Sequence, residues 1–411
     1  MSALQGIRVL DLSRVLAGPW CSQILADLGA EVIKVERPQV GDDTRTWGPP
    51  WMPNMAGESS GESAYYQSTN RNKSSVAINI STSQGQALLH KLVKDADVLI
   101  ENYKVGSLKK YHLDYDSLSK INPRLVYCSI TGYGQNGPRA SEPGYDFVLQ
   151  GLSGLMSITG EAERLGGEAQ KVGVAVTDIQ TGLYATVAIQ AALWARQQSQ
   201  RGQYIDIALF DVQLAALANQ SMNYLTTGIA PQRMGNKHPN IVPYQTFTAK
   251  DKQFIIACGN DGQFAALCHA IGLEELAQHP DYVRNQDRVK HREQLISLLT
   301  THFLQHDAQY WVKAIHAVKV PVGLVNNIAE ALCDPQVTHR DMLVDIPHPL
   351  NPEFKMLGSP MKLSETPVEY HCAPPRLGQD TKAVLAQYCD DQELRQLRRD
   401  GVIGLLEDDQ C

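Results

Sequence analysis

An α/β fold with a largely parallel sheet, followed by a smaller α+β region, is predicted by three observations. Short β-branched and aliphatic runs alternate with helical patterns through the first half of the chain. That alternation stops at about residue 225, where hairpin-like and amphipathic helical segments take over. The 411 residues, 43% hydrophobic and 20% charged, suffice for two or three domains at roughly 100–200 residues each.

In chain order, IRVLDL (7–12) reads as a strand and SRVLAGP as the turn after it, with Pro19 where a first helical turn tolerates a missing N–H. The helix runs to about Leu28, Gly29 ends it, and EVIKVE (31–36) is the next strand, so the first unit is a βαβ. SSVAINI (74–80), DVLIEN (97–102) and RLVYCSI (124–130) are further strands, with a helix over 83–96 between the first two. A long apolar helix begins near Thr177 and Asp178, then YIDIALF reads as a strand and DVQLAALANQSMNYL as a helix. Beyond 225, FTAKDKQFIIA has the form of a hairpin turning at Asp251, followed by the loop CGNDGQF and several helices. Two β-like runs, MLVDIPHP and FKMLGSPMKL, precede a helix at LGQDTKAVLAQY and a short terminal one.

With 37 basic and 44 acidic side chains the formal charge is −7, which excludes charge-driven nucleic-acid binding as a default. No apolar stretch approaches the ~18 residues of a membrane span. The eight cysteines are scattered, without C-x-x-C pairs or zinc-ligand spacing, so reduced thiols, no metal and a cytoplasmic location are expected.

Asp178 stands where a small-residue run meets a long apolar helix. Capping of free N–H groups is the ordinary role of such an aspartate. The functional alternative uses the same physics, because a helix N-terminus favours the ionised carboxylate and keeps it nucleophilic. Spacing does not separate the two. Glu36 ends the second strand where an acid meets a ribose hydroxyl in dinucleotide folds, but the preceding turn lacks G-x-G-x-x-G, which argues against an NAD site. Arg37 suits a phosphate monoester or an ordinary surface position. GDDTRTWGPPW sets Arg45, Trp47 and Trp51 in a Gly/Pro-framed loop suited to a pocket, and His238 lies in the Asn/Pro-rich RMGNKHPN.

LQGIRVLDLSRVLAGPWCSQILADLGAEVIKVERPQVGDDTR, NRNKSSVAINI, IENY, CSITGYGQNGP, GYD, VTDIQTGLYA and LFDVQLAAL, in this order, resemble the family III CoA-transferases along nearly the whole chain. The resemblance implies a Rossmann-like large domain (1–224 completed by 331–411), an inserted small α+β domain (225–330) and an interlocked homodimer. It implies Asp178 as the nucleophile, coenzyme A thioesters as substrates, and no permanently bound cofactor. By position it further implies Val15, Ala17, Arg37, Ile78, Asn102 and Lys110 as CoA contacts, Lys110 standing where relatives often carry arginine. Leu16 replaces a glutamine of the formyl-CoA transferases, and Trp47, Tyr65, Tyr145 and Asp146 match neighbours of the reacting group there. Those relatives close a four-glycine run over the aspartate, whereas CGNDGQF keeps only Gly259 and Gly262. DDTRTWGPPW and IVPYQTF are similar to members acting on dicarboxylic acids, implying succinyl-CoA as donor and glutarate or a near relative as acceptor. Arg45 and His238 are then the candidates to meet the distal carboxylate. An α-methylacyl-CoA racemase of the same fold and a non-catalytic CoA-binding protein are the alternatives.

Overall fold

The computed structural model describes residues 2–405; Met1 and 406–411, with Cys411, lie outside the described residues. The chain forms two compact units. The first comprises the residues up to Leu155, then Val172–Leu225 and the segment from Thr338 onward; the second comprises Met156–Lys171 and Thr226–Val337. The cuts therefore differ from those expected in two respects. The return to the first unit comes at 338 and not 331, and the polar, glycine-containing stretch 156–171 packs with the second unit although nothing in its hydropathy marks it.

In the first unit the strands up to the long helix are β1 (Arg8–Asp11), β2 (Glu31–Glu36), β3 (Trp51–Pro53), β4 (Ser59–Ser63), β5 (Lys73–Ile78), β6 (Val98–Glu101) and β7 (Val126–Thr131), with β8 (Tyr204–Ala208) after it. Five of these stand beside β1 in a seven-stranded sheet, whose far edge is the C-terminal Ile403–Gly404; β3 and β4 pair separately as a hairpin. Neighbours in the large sheet run parallel, except that Ile403 lies antiparallel opposite Ile78.

Both faces of the sheet are covered, which is why its strands read as continuous apolar runs. The period-2 alternation sends Val9, Val32 and Val98 to one core, and Leu10, Ile33 and Leu99 to the other. The helices Ala17–Asp27 and Val176–Ser199 cover the first face, and the helix Ser83–Lys94 with Leu394 and Leu397 covers the second. Gly29, at φ +97°, ends the first helix by donating its N–H to the Ala26 carbonyl (2.9 Å), a conformation a side chain would resist. The chain leaves β1 toward β2 and β5 on one side and β6, β7 and β8 on the other. The carboxyl ends of β1 and β6 thus form the switch point where doubly wound sheets bind ligands.

The second unit is built on an antiparallel sheet of β9 (Tyr244–Thr248), β10 (Gln253–Ala257) and β11 (Val322–Leu324), with the hairpin turning at the expected place. Phe247, Phe254, Phe303 and Trp311 make its core with edge-on ring contacts. Back in the first unit, β12 (Leu343–Asp345) pairs with β13 (Lys355–Leu357), and Ile403–Gly404 is β14. The helices Tyr115–Ile121 and Asp146–Leu152 were not legible in the sequence, being only seven residues each. Among the described residues no helix is long and apolar enough to cross a membrane.

Candidate active site

The site begins at the turn after β1. Val15 holds φ +71°, a left-handed conformation that is a genuine outlier for a β-branched residue. The helix that follows starts at Ala17, with Leu16 as its N-cap residue and, among the described residues, no side-chain cap on its first N–H groups. Gly18 is required here, since a Cβ on it would lie 2.3 Å from the Ser13 Cβ.

The long helix Val176–Ser199 packs closely on this one. A Cβ at Gly182 would stand 2.7 Å from the Ala17 carbonyl oxygen, so the glycine is what lets the two helices approach. Asp178 lies one helical turn before Gly182, which sets the start of the long helix beside the Val15–Ala17 turn.

Asp178 does not cap its own helix. That role belongs to Asp146, in the first turn of the helix Asp146–Leu152, whose Oδ1 accepts from the N–H groups of Thr177 (2.8 Å) and Asp178 (3.4 Å). Its Oδ2 accepts from Gln150 Nε2 at 2.6 Å. Among the described residues nothing donates to the half-buried Asp178 carboxylate. Burial first, and the neighbouring Asp146 charge second, push its pKa up to about 7. The expected help of the helix N-terminus to the ionised form of Asp178 is offset here, because a second carboxylate, Asp146, already occupies that terminus. Tyr65 lies close enough to Asp178 and Asp146 that burial and their charges raise its hydroxyl to about 12. Its ring meets Trp47 edge-on at 5.2 Å. Trp47 and Tyr145 are exposed, whereas Leu16 and Ala17 are buried.

The Asp146 charge has a measurable consequence. If Asp178 is the nucleophile that the sequence resemblance implies, its carboxylate form is required, and activity should then rise with pH through an acid limb near 7 and be lost below it. In Asp146→Asn the amide oxygen still accepts from the helix but the negative charge is gone, so the limb should move to lower pH. Rate measurements from pH 5 to 9 on both proteins test this, and an unmoved limb refutes the coupling.

Of the expected CoA contacts, Arg37 and Ile78 line one cavity of about 290 Å³ at the carboxyl ends of β2 and β5, together with Ser13, Arg14, Tyr103 and Tyr111. Ile78 is only 1% exposed and mostly serves the core. Lys110 is exposed, with its ammonium 4.6 Å from the centroid of the Tyr111 ring. Asn102 is engaged already: its Oδ1 accepts from the Arg14 N–H (2.9 Å) and its Nδ2 donates to the Arg14 carbonyl (2.7 Å). It supports the turn before it can touch a ligand.

Neither candidate for a distal carboxylate is free of protein partners. Arg45 is partly buried and heavily engaged, donating from Nε and Nη2 to both oxygens of Glu36 (2.8 Å each), from Nη2 to Tyr66 Oη (2.6 Å) and the Pro375 carbonyl (3.0 Å), and from Nη1 to Glu62 at 3.5 Å. Glu36 is therefore not a ribose ligand; it also accepts from Ser75 Oγ at 2.6 Å. His238 belongs to the second unit, where burial and the nearby Arg292 lower its pKa. Its Nδ1 accepts from the Asn240 N–H (3.1 Å), which, with the lowered pKa, favours the neutral ring. CGNDGQF is not a free glycine loop either. Gly262 lies inside the helix Asp261–Ala270, Asn260 caps that helix, and Asp261 is held by Arg288 at 2.7 Å. Gly259 precedes it and donates its N–H to Gln263 Oε1.

Sequence reasoning missed the buried charges beneath the turn. Lys34 pairs with Asp42 (2.9 Å) and Lys73 with Asp11 (3.3 Å), all four side chains being fully enclosed. The available signal was a lysine at an inward position of each of two apolar strands, EVIKVE and KSSVAI.

A parallel-sheet unit with a switch-point crevice and an unpaired, half-buried aspartate at a helix start fits an acyl-transfer site, and the chain belongs to CoA-transferase family III, whose model matches residues 4–381. It is thereby an enzyme of the CoA-transferase type. It is 48% identical over 384 residues to the succinate–glutarate CoA-transferase of Agrobacterium fabrum, covering 93% of this chain and 95% of that one. It is 40% identical over 402 residues to the human succinyl-CoA:glutarate CoA-transferase, covering 97% and 90% respectively. The crystal structure of a CaiB/BaiF family protein from Brucella suis superposes with a TM-score of 0.83 at 46% identity, over 94% of this chain and 99% of that one.

Proposed function

We propose that the protein moves coenzyme A from succinyl-CoA to glutarate or a close dicarboxylic relative, with Asp178 as the covalent nucleophile. The observation that carries this reading is the Asp178 carboxylate, free of donors among the described residues, at the start of a helix that packs on the Val15–Ala17 turn through Gly182, together with the names of the two relatives.

The chemistry is a series of acyl exchanges. An Asp178 oxygen attacks the thioester carbonyl of succinyl-CoA, the C–S bond breaks, and a succinyl–aspartyl anhydride and CoA thiolate result. The thiolate attacks the Asp178 carbonyl carbon, releasing succinate and leaving an aspartyl-CoA thioester. A glutarate carboxylate attacks that thioester, expelling the thiolate again. The thiolate then attacks the glutaryl carbonyl of the new anhydride, giving glutaryl-CoA and the original carboxylate. Each step exchanges one activated acyl bond for another, so the protein's task is positioning and exclusion of water. A pKa near 7 suits the aspartate to act both as attacking group and as leaving group.

The CoA adenosine is assigned to the cavity of Arg37 and Ile78, with Lys110 beside it, which sets local positive charge against the −7 of the whole chain. A homodimer is part of the same proposal. Leu183, Tyr184, Val187 and Trp194 of the long helix are 48–68% exposed beside an apolar groove of about 840 Å³ that includes Trp51, Phe354 and Met356. Sedimentation at micromolar concentration tests it.

Incubating succinyl-CoA with a panel of mono- and dicarboxylic acids, and reading every acyl-CoA by mass, is expected to give glutaryl-CoA and free succinate in equal amounts. Formation of acyl-CoA from monocarboxylic acids alone would remove the dicarboxylate assignment. Deuterium uptake α to the thioester without any acceptor would point to a racemase.

A further inference from the structure

The turn after β1 is held by more side chains than its length calls for. Three successive residues have their peptide groups tied down from three different elements. The Ser13 carbonyl accepts from Lys34 Nζ (2.9 Å) on β2, and the Ser13 N–H donates to Asp11 Oδ1 (2.9 Å). The Arg14 N–H and carbonyl both bond Asn102, just beyond β6. The Val15 N–H donates to the Asp42 carboxylate, at 3.2 and 3.3 Å from its two oxygens.

Asp42 is itself fixed. It is fully enclosed, bonded to Lys34 Nζ at 2.9 Å, to the Thr44 N–H at 3.0 Å and to Thr44 Oγ1 at 2.8 Å, while its own N–H donates to Glu36 Oε2 at 3.0 Å. Burying a lysine–carboxylate pair is costly, and replacing such a pair with apolar groups is often no less stable. Stability alone does not account for it. What the pair does locally is hold the N–H of the one residue here that sits, against its own preference, at φ +71°. A strained non-glycine backbone persists where its surroundings over-determine it, and such strain collects where a ligand needs a prearranged backbone.

We propose that Asp42, braced by Lys34, is a positioning residue for the acyl-CoA substrate: it holds Val15 in the left-handed conformation, so that the turn and the uncapped first N–H groups of the helix at Ala17 meet the thioester end of coenzyme A without rearranging. This rests on the assignment of CoA to the turn, and deepens it. Asp42 touches no substrate; it acts through the Val15 peptide. The arrangement replaces the glycines that other folds use to bring a backbone up to a nucleotide, with a buried carboxylate as the clamp.

The test is Asp42→Asn, alone and combined with Val15→Gly, in the full chain. Asparagine weakens the clamp by removing the charge that binds Lys34 and accepts from Val15. Glycine adopts positive φ without strain, so it makes the clamp dispensable. D42N is expected to raise KM for succinyl-CoA about tenfold, leave KM for the acceptor acid within about twofold, and speed amide hydrogen exchange of residues 13–17 about tenfold in the absence of ligand. In the V15G background the same change should raise KM for succinyl-CoA less than about threefold. An unchanged exchange rate and KM in D42N, or equal losses for both substrates in both backgrounds, overturns the proposal. Should D42N not fold, Asn102→Ala, which frees the Arg14 peptide at a half-exposed position, must show the same selective rise for succinyl-CoA. CoA assignment is checked separately: if added CoA does not slow exchange of residues 13–17 in the unaltered protein, that assignment fails, while faster ligand-free exchange in D42N still demonstrates the clamp.

Discussion

Asp178→Ala is expected to lower the transfer rate by at least about 10⁴-fold while leaving CoA affinity within about threefold, because loss of a covalent nucleophile removes the reaction path and not a binding contact. Mass spectrometry offers the direct check. The unaltered protein mixed with succinyl-CoA should gain the mass of CoA less one water, as the aspartyl thioester, and the variant should gain nothing. Alanine at 178 also leaves the helix start intact, since Asp146 and not Asp178 accepts from the N–H groups of residues 177 and 178. A folded variant without turnover thus reports on chemistry. Turnover within tenfold of the unaltered protein would end the nucleophile assignment.

The second large effect is on stability. Arg45→Leu should cost about 3–5 kcal/mol, because it leaves Glu36 ionised in an enclosed site without its main partner. The guanidinium also lies 3.7 Å from the centroid of the Tyr66 ring and bonds the Pro375 carbonyl, so it ties the loop after β2 to the C-terminal segment. Urea unfolding, read as a shift in midpoint at constant slope, measures the loss. Arg45→Lys should recover only part of it, since an ammonium cannot span both Glu36 oxygens. If Arg45→Leu instead retains full stability and loses only affinity for the acceptor acid, the arginine is a substrate ligand after all.

The fate of Arg45 shows how far residue type alone carries a site. An arginine between tryptophans in a Gly/Pro-framed loop suggests a ligand cation, yet its partner Glu36 is nine residues earlier and Tyr66 twenty-one later. Only folding reveals that its donors are used. Asn102 has the same history, with both amide atoms committed to the Arg14 backbone, and His238 in part, its Nδ1 accepting from the Asn240 N–H. Asp178 went the other way. The sequence placed it at a helix start, where a cap is the common role, and it is freed from that role by Asp146, thirty-two residues earlier.

By itself the sequence determined the βαβ alternation, the place where it stops, the principal strands and the candidate aspartate, because these rest on local periodicity and on ordered motifs. Tertiary structure decided which charges are paired, which helix end is capped by whom, and that 156–171 packs with the second unit. The physical reason is one of range. Hydropathy periods and turn residues act over a few positions, whereas the protonation of Asp178, the pairing of Arg45 and the strained backbone of Val15 are set by groups nine or more residues away in the chain that folding brings into hydrogen-bond contact.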